Sequence, residues 1–193
     1  MDTGDRPEQH SANCLHICWA NPCSHFLCVV DCKPLQEILC GHARAMDGAN
    51  EELLGGIVDN LSRLYDSGWQ PPQPYADPIA WQKREHNLLA DWLCNYTMDC
   101  KRSWETTFKN EHLEDGMGFN LLMHSDGGSR ATSAAAAWIV ETMRFDPVNK
   151  QCVTLPLAMA GSYFDLKLSS FEVESIALRF CTNFACELLA YSL

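Results

Sequence analysis

Four acidic residues lie in four separate segments of the chain, each beside a short apolar stretch. They are Asp31 in FLCVVDCKPLQEIL, Asp91 in REHNLLADWLCN, Asp126 in NLLMHSDGGSR and Glu174 in SSFEVESIAL. Mg²⁺ and Mn²⁺ favour hard oxygen ligands, so converging carboxylates suit them. If the four segments meet in the fold, the chain builds a divalent-metal site.

Length and composition bound the class of protein. The chain has 193 residues, of which 47% are apolar, so it can bury a sizeable core and we expect one domain. It contains no run of 18 apolar residues, and its first 25 residues lack the basic and then apolar order of a secretory signal. We therefore expect an intracellular protein, cytoplasmic or nuclear, that is soluble and not secreted.

The net charge of −11 argues against tight non-specific binding to nucleic acid, because contacts from Lys and Arg to phosphate dominate such affinity. A cluster of carboxylates at a metal site would account for part of this charge, and bound cations would neutralise it.

The 11 cysteines are odd in number and several fall in predicted helices, which favours reduced thiols over a disulfide framework. An N-terminal group of Cys and His residues could instead bind zinc, although the chain has no CxxC pair. Its members are His10, Cys14, His16, Cys18, Cys23, His25, Cys28 and Cys32.

The first half of the chain predicts alternating strands and helices. Residues 1–24 form an irregular tail, and 26–31 are a short buried strand that leads into a helix with Pro34 in its first turn. Asn50 is the predicted N-cap of a second helix, and 79–84 are a second strand. In the next helix, from about 87 to 98, we expect the core face to comprise Leu88, Leu89, Trp92, Leu93 and Tyr96, while Asn87, Asp91 and Asn95 share a polar face.

The second half follows a polar segment, 101–118, that we interpret as a linker with some helical content. Three strands, FNLLMHSD, AAAAWIVETMR and CVTLPLAMAGSYF, are predicted to form antiparallel hairpins. Pro156 cannot donate to a ladder, so the third strand should lie at a sheet edge. Ser169 and Glu172 match a capping box that begins the final helix, which leaves Glu174 about 200° further round that helix with no structural role.

These segments resemble the ribonuclease H domain, particularly its retroelement forms. HSDGGSR around Asp126 is similar to the family's first strand, ESIA with Glu174 to its first helix, VVDCKPLQEIL with Asp31 to its fourth strand, and NLLAD with Asp91 to its late helix. The resemblance covers most of residues 26–190. One feature is missing, because a His that some members carry about ten residues before the late Asp is replaced here by Trp81.

The resemblance implies an α/β, three-layer fold with a five-stranded mixed sheet flanked by helices, in permuted strand order. Residues 25–193 would form one domain after the tail 1–24, with 25–100 as the second half of the family fold, 101–118 as linker and 119–193 as the first half. A circular permutation explains this order, and so does a chain that spans two tandem modules. A linker of this length is long enough to join the halves.

The resemblance also assigns roles. Asp126 and Asp31 would lie at the carboxyl ends of adjacent parallel strands, with Glu174 and Asp91 added from helices, so all four would be catalytic metal ligands. Two Mg²⁺ or Mn²⁺ ions would activate water and stabilise the leaving oxygen. Ser129, Arg130 and Asn87 are candidate substrate-binding residues, although a polar loop and a helix cap explain them equally well.

Three functions from different classes stay open at this point. The first is a monomeric, metal-dependent endonuclease that hydrolyses the RNA strand of RNA/DNA hybrids. The second is a degenerate, non-catalytic ribonuclease H fold that acts as an interaction module and derives from a retroelement. The third is a zinc-binding, thiol-rich protein centred on the N-terminal tail.

Overall fold

The computed structural model describes residues 25–44, 50–72, 74–108, 120–146, 149 and 151–190. The strands are β1 (Phe26–Val30), β2 (Ile79–Trp81), β3 (Trp104–Thr107), β4 (Asn120–Ser129), β5 (Ala134–Asp146) and β6 (Gln151–Phe164). The helices are α1 (Lys33–Leu39), α2 (Glu51–Asp66), α3 (Leu88–Cys100) and α4 (Ser170–Ala190), and a short 3₁₀ turn spans Arg84–His86. In these ranges no helix combines the length and apolar character needed to cross a membrane.

The strands form one mixed sheet in the order β2-β1-β4-β5-β6-β3. β1 is parallel to both of its neighbours, β2 and β4, while β4, β5, β6 and β3 pair antiparallel in succession. The predicted α/β class with a mixed sheet is therefore confirmed. The sheet joins strands from both halves of the chain, and its described part has six strands rather than the predicted five.

The sixth strand, β3, lies in the segment that we predicted as a linker with helical content. It pairs with β6 from Trp104–Gly161 to Thr107–Ala158. Gly161 leaves room for Trp104, whose indole nitrogen donates a hydrogen bond of 2.9 Å to Thr97 on α3. The side chain of Trp104 is thus anchored on a helix, and the polar sequence around it suits an exposed edge strand. Residues 109–118 of the predicted linker lie outside the described residues.

The prediction that Pro156 marks a sheet edge is wrong, since β6 lies between β5 and β3. Two local features accommodate the missing N–H. The pairing of β6 with β5 shifts register between Val140 and Glu141, and β3 ends at the pair Thr107–Ala158, before it reaches Pro156. Pro156 lies beyond the end of β3, so on that side of β6 it resembles a residue of an edge strand.

Helices cover the two faces of the sheet unequally. α1, α2 and α4 pack on one face, where Leu35, Ile57 and Leu178 join a core with alternate strand residues such as Phe26 and Met123. α3 packs on the opposite face. The alternation of side chains along each strand divides the apolar residues between these two layers.

The predicted core face of α3 is largely wrong. Leu88, Leu89, Trp92 and Tyr96 are exposed, with Leu88 at 66% and Trp92 at 58%. The buried residues of the helix are Ala90, Leu93, Cys94, Thr97 and Met98. This face packs closely on glycines of the sheet, since a Cβ at Gly128 would lie 2.7 Å from Met98 Cε and 3.0 Å from Cys94 Sγ.

The backbone of α4 contacts β4 directly at Gly127. A Cβ added there would overlap the backbone of Val173 and would lie 2.7 Å from the Cα of Glu174. The helix start is fixed by the predicted capping box, in which the Ser169 N–H donates to Glu172 at 2.7 Å and the Glu172 N–H donates to Ser169 Oγ at 3.2 Å. Glu174 is thereby held next to β4.

Replacing Gly127 with Ala is expected to destabilise the protein by about 3 kcal/mol or more, because the new methyl group must displace helix backbone rather than a flexible side chain. Urea unfolding measures the change. Gly55→Ala is the matched control: Gly55 is exposed on α2 with open space around it, so Ala should stabilise the protein by up to about 1 kcal/mol. Equal stability of the two variants would contradict the close approach of α4 to β4.

Candidate metal centre

Two strands bring the first two acids together. Asp31 directly follows β1, and Asp126 lies in the neighbouring parallel strand β4. The register aligns Val29 with His124, so position 31 is level with position 126 two residues further on. The sheet thus places both carboxylates at the same end of adjacent parallel strands, where open sheets bind ligands.

Glu174 completes a group of three. One carboxylate oxygen from each of Asp31, Asp126 and Glu174 lies within 4.8 Å of the others. Asp126 is 1% exposed and Glu174 is 8% exposed, while Asp31 is half-buried. Each residue also has a buried oxygen without a hydrogen-bond partner: Asp31 Oδ1, Asp126 Oδ2 and Glu174 Oε2. Buried polar atoms are normally paired, so an orphaned oxygen on each of three neighbouring carboxylates needs an explanation.

The electrostatics of the group oppose full ionisation. Burial, and then the charge of Asp31, raise the pKa of Asp126 to about 7. Burial, followed by the charges of Asp126 and Asp31, raises the pKa of Glu174 to about 9. The pKa of Asp31 is also raised, chiefly by burial, although the Arg84 guanidinium opposes the shift. Without a cation, the group therefore holds protons near neutral pH.

This donor set fits a hard divalent cation. A cation among the three carboxylates would neutralise their mutual repulsion and give the orphaned oxygens a partner. Of the described residues, these three form the group that could hold a metal.

The structure places Asp91, the fourth predicted ligand, outside this group. Its carboxylate forms an ion pair with Arg84 and accepts a hydrogen bond of 3.3 Å from Asn95. Its charge nevertheless contributes to the raised pKa values of Asp31 and Asp126. Asp91 is therefore near the three carboxylates but is bound to another partner.

Arg84 was not among the predicted site residues. Its side chain is 67% exposed, and its charge lowers the pKa of both Asp31 and Asp126. Arg84 and Asp91 are seven residues apart, but Arg84 lies in the 3₁₀ turn and Asp91 in α3, so the two do not share one helix. The sequence offered no signal for this ion pair.

The three candidate substrate-binding residues have partners within the protein. The side-chain amide of Asn87 donates to the Ser125 carbonyl at 2.9 Å and does not cap α3, so it ties the start of that helix to β4. The Ser129 hydroxyl donates to the Leu168 carbonyl at 2.5 Å. Arg130 donates to Asp99 at 2.7 Å, and it remains 46% exposed.

His124 is a partly buried neighbour of the site. Burial lowers its pKa to about 4, and its Nδ1 lies 3.3 Å from the side-chain oxygen of Asn87. His124 is thus neutral at physiological pH. Asn87 therefore has two partners on β4, the ring of His124 and the carbonyl of Ser125. Trp81, at the position of the missing family His, donates from its indole nitrogen to the Asp31 carbonyl at 3.0 Å.

The zinc hypothesis rests mostly on residues 10–23, which lie outside the described residues. Of the three remaining candidates, His25 interacts with Asn120 at 3.1 Å. Cys28 is fully buried in β1, and burial raises its pKa well above the ordinary range, whereas burial raises that of Cys32 to about 11. Zinc needs thiolates, so these two thiols are poor ligands. Seven cysteines are free thiols in the structure: Cys28, Cys32, Cys40, Cys94, Cys100, Cys181 and Cys186.

Comparison with protein-family models, with curated proteins and with solved structures gives no significant match.

Replacing Asp126 with Asn should stabilise the metal-free protein at pH 8. The raised pKa means that the folded state holds the proton more tightly than the unfolded chain, so stability is lost as pH rises from about 4 to about 7. The Asn side chain does not ionise, so the variant does not lose this stability. Its free energy of unfolding should exceed that of the wild type by on the order of 2 kcal/mol at pH 8 and by little near pH 4. Urea unfolding with a chelator measures both values, and Asp59→Asn, an exposed site on α2, controls for net charge. A gain that is equal at both pH values would argue against the coupled group.

Mg²⁺ or Mn²⁺ should raise the unfolding temperature of the wild-type protein. A ligand that binds only the folded state adds about 2.7 kcal/mol to the free energy of unfolding when its concentration is 100 times its Kd. Asp126→Asn and Glu174→Gln should lose most of this shift. Glu172→Gln should keep it, since Glu172 is the capping residue two positions away. Thermal unfolding over a metal titration tests this, and an undiminished shift in Asp126→Asn would place the metal elsewhere.

Proposed function

We propose that this protein is a divalent-metal-dependent endonuclease of the ribonuclease H type, which hydrolyses the RNA strand of RNA/DNA hybrids. The observation that supports this most directly is the group formed by Asp31, Asp126 and Glu174, whose carboxylate oxygens lie within 4.8 Å of one another. Each residue lies in a segment that resembles a metal-binding segment of that family.

The sheet order supports the same proposal. The resemblance implies that the strand with Asp126 and the strand with Asp31 are parallel neighbours and that the strand with Asp126 begins an antiparallel meander. β4 and β1 are parallel neighbours, and β4 to β6 form an antiparallel meander. The N-terminal segment would then supply the second half of the fold, as a permuted chain requires. β3 is an addition at the edge.

Asp31, Asp126 and Glu174 would hold the cation. When bound, it would activate a water and stabilise the leaving 3′ oxygen of the phosphodiester. Two ions would need a further ligand, for which Asp91 is the candidate if it exchanges Arg84 for metal. Arg84, exposed beside the group, would then be free to contact a substrate phosphate.

The exposed surface of α3 supports contact with nucleic acid. Trp92 and Tyr96 stack on each other with ring centroids 5.4 Å apart, and Leu88 and Leu89 extend the apolar surface. These residues share a helix with Asp91. An exposed apolar surface of this kind marks an interaction site, and it lies on the helix that carries Asp91.

The alternative is a non-catalytic interaction module with the same fold. The observations that favour it are the net charge of −11 and the internal partners of Ser129, Arg130 and Asp91, which reduce the polar groups free to bind substrate. The apolar surface of α3 would then bind a protein.

Cleavage of a labelled RNA/DNA hybrid with Mg²⁺ separates the two functions. The cleavage rate should fall at least about 100-fold in each of the variants Asp126→Asn, Asp31→Asn and Glu174→Gln. Even mutation of an outer-shell partner of a metal ligand lowers metal affinity or activity by about 10- to 100-fold. Glu172→Gln is the matched control, with the same chemical change on the same helix and no expected loss. A folded wild-type protein that binds Mg²⁺ but leaves hybrids intact would refute catalysis and support the interaction module.

A further inference from the structure

A second concave site lies away from the carboxylate group, between the edge strand β3 and helix α4. This groove, which we term the β3–α4 groove, encloses about 520 Å³. Its lining residues come from β3 and the turn before it, from the centres of β5 and β6, and from the second half of α4. They are Ser103, Trp104, Glu105, Trp138, Ala160, Gly161, Ser162, Phe180, Asn183, Phe184 and Glu187.

The groove exists because the helical layer stops short of the sheet edge. α4 lies over β4 and β5, and α2 packs against α4. The residues of β6 that line the groove are small: Ala160, Gly161 and Ser162. The outer two strands therefore form an open floor, and the side of α4 forms a wall.

Aromatic rings from β5 and α4 form the apolar part of the groove lining. Trp138 and Phe184 contact each other with ring centroids 4.9 Å apart, and Phe180 is 39% exposed. The π faces of such rings carry partial negative charge, which attracts Lys, Arg and other organic cations. A purely aliphatic ligand would use the apolar surface but not this charge.

Two carboxylates complete the lining. Glu105 follows Trp104 along β3, and since Trp104 bonds to α3 on one face, Glu105 points to the other face, towards α4. On α4, Glu187 accepts a hydrogen bond of 2.7 Å from Asn183. Both acids are exposed, and no Lys or Arg occurs among the described residues that line the groove. The groove therefore selects positive charge, and a nucleic-acid phosphate would be repelled.

The adjoining strand indicates what carries the cation. β3 is the last strand of the sheet order and pairs only with β6 among the described strands, so its outer edge presents backbone donors and acceptors. An extended peptide can pair with such an edge, and alternate side chains then enter a pocket on one face of the sheet.

From these features we infer that the protein binds a basic, extended peptide segment along β3, with an Arg or Lys side chain in the β3–α4 groove between Glu105 and Glu187. This inference does not depend on the proposed nuclease activity. The acidic end of the groove is distant from the candidate metal centre, because Glu187 lies about 20 Å from Glu174 along α4.

Calorimetric titration of the full chain tests the inference. The probe is a ten-residue peptide that alternates Arg with Ser, and the control peptide alternates Glu with Ser. Wild-type protein should bind only the Arg peptide, and N-methylation of the peptide backbone at alternate residues should weaken it, because a methylated nitrogen cannot donate to β3.

Paired variants locate the binding. Glu105→Gln with Glu187→Gln should weaken the Arg peptide by about 10-fold or more, since both charge-assisted contacts are lost. Phe180→Leu, which keeps apolar bulk but removes the ring, should weaken it by about 2- to 5-fold. Glu51→Gln with Glu52→Gln, an exposed pair at the start of α2, removes the same charge and should leave affinity unchanged.

Four results would overturn the inference. Equal losses in the two Glu pairs would mean that the net negative charge alone attracts the peptide. Binding of the Glu peptide, or a dimer of the chain that Phe180→Leu dissociates, would assign the groove to another occupant. No binding of the Arg peptide by folded wild-type protein would exclude the site. Hydrolysis of hybrids is measured separately and changes none of these outcomes.

Discussion

Mutual repulsion among three carboxylates, two of them buried and one half-buried, is the constraint around which this molecule is organised. Asp31, Asp126 and Glu174 lie within 4.8 Å of one another, each with an oxygen that lacks a hydrogen-bond partner, so the fold keeps together groups that would separate in water. The rest of the structure opposes this repulsion. Parallel pairing fixes Asp31 beside Asp126, and Gly127 allows the backbone of α4 to press Glu174 against the same strand. A cation would turn this unfavourable arrangement into a favourable one, which is why the group supports a metal-dependent function.

The sheet that holds the carboxylates together pairs strands from distant parts of the chain. The pairing of β1 with β4 joins residues about a hundred positions apart, and His25 and Asn120 bond across a separation of 95 residues. The antiparallel strands β4 to β6 are local by comparison. We expect the C-terminal meander to form before the N-terminal strands dock, because closing a long loop costs entropy before its contacts form. The carboxylate group would then be completed late in folding.

Helices α3 and α4 show how one sheet supports two kinds of surface. Both approach glycines of β4, from opposite faces, because Gly127 and Gly128 alternate. On α3 this contact is made by Cys94 and Met98, while Trp92 and Tyr96 stay exposed. On α4 it holds Glu174 at one end, while the other end forms a wall of the groove at β3. The contact at Gly127 therefore positions the helix that contributes to both candidate sites.

The sequence alone determined the identity of the three acids, most strand and helix positions, the capping box at Ser169 and the antiparallel order of β4 to β6. These features are encoded within a few residues, by periodicity, turn residues and capping geometry. Only the tertiary structure decided that α3 buries Ala90 and Cys94 rather than Trp92, that residues 104–107 form an edge strand, and that Arg84 holds Asp91 outside the carboxylate group. The physical reason is that a helix buries the face that fits the surface it meets, and an ion pair forms with whatever charge the fold brings near. The helix and the edge strand depend on residues distant in sequence, Gly128 and Gly161, whereas the ion pair depends on the 3₁₀ turn between Arg84 and the start of α3.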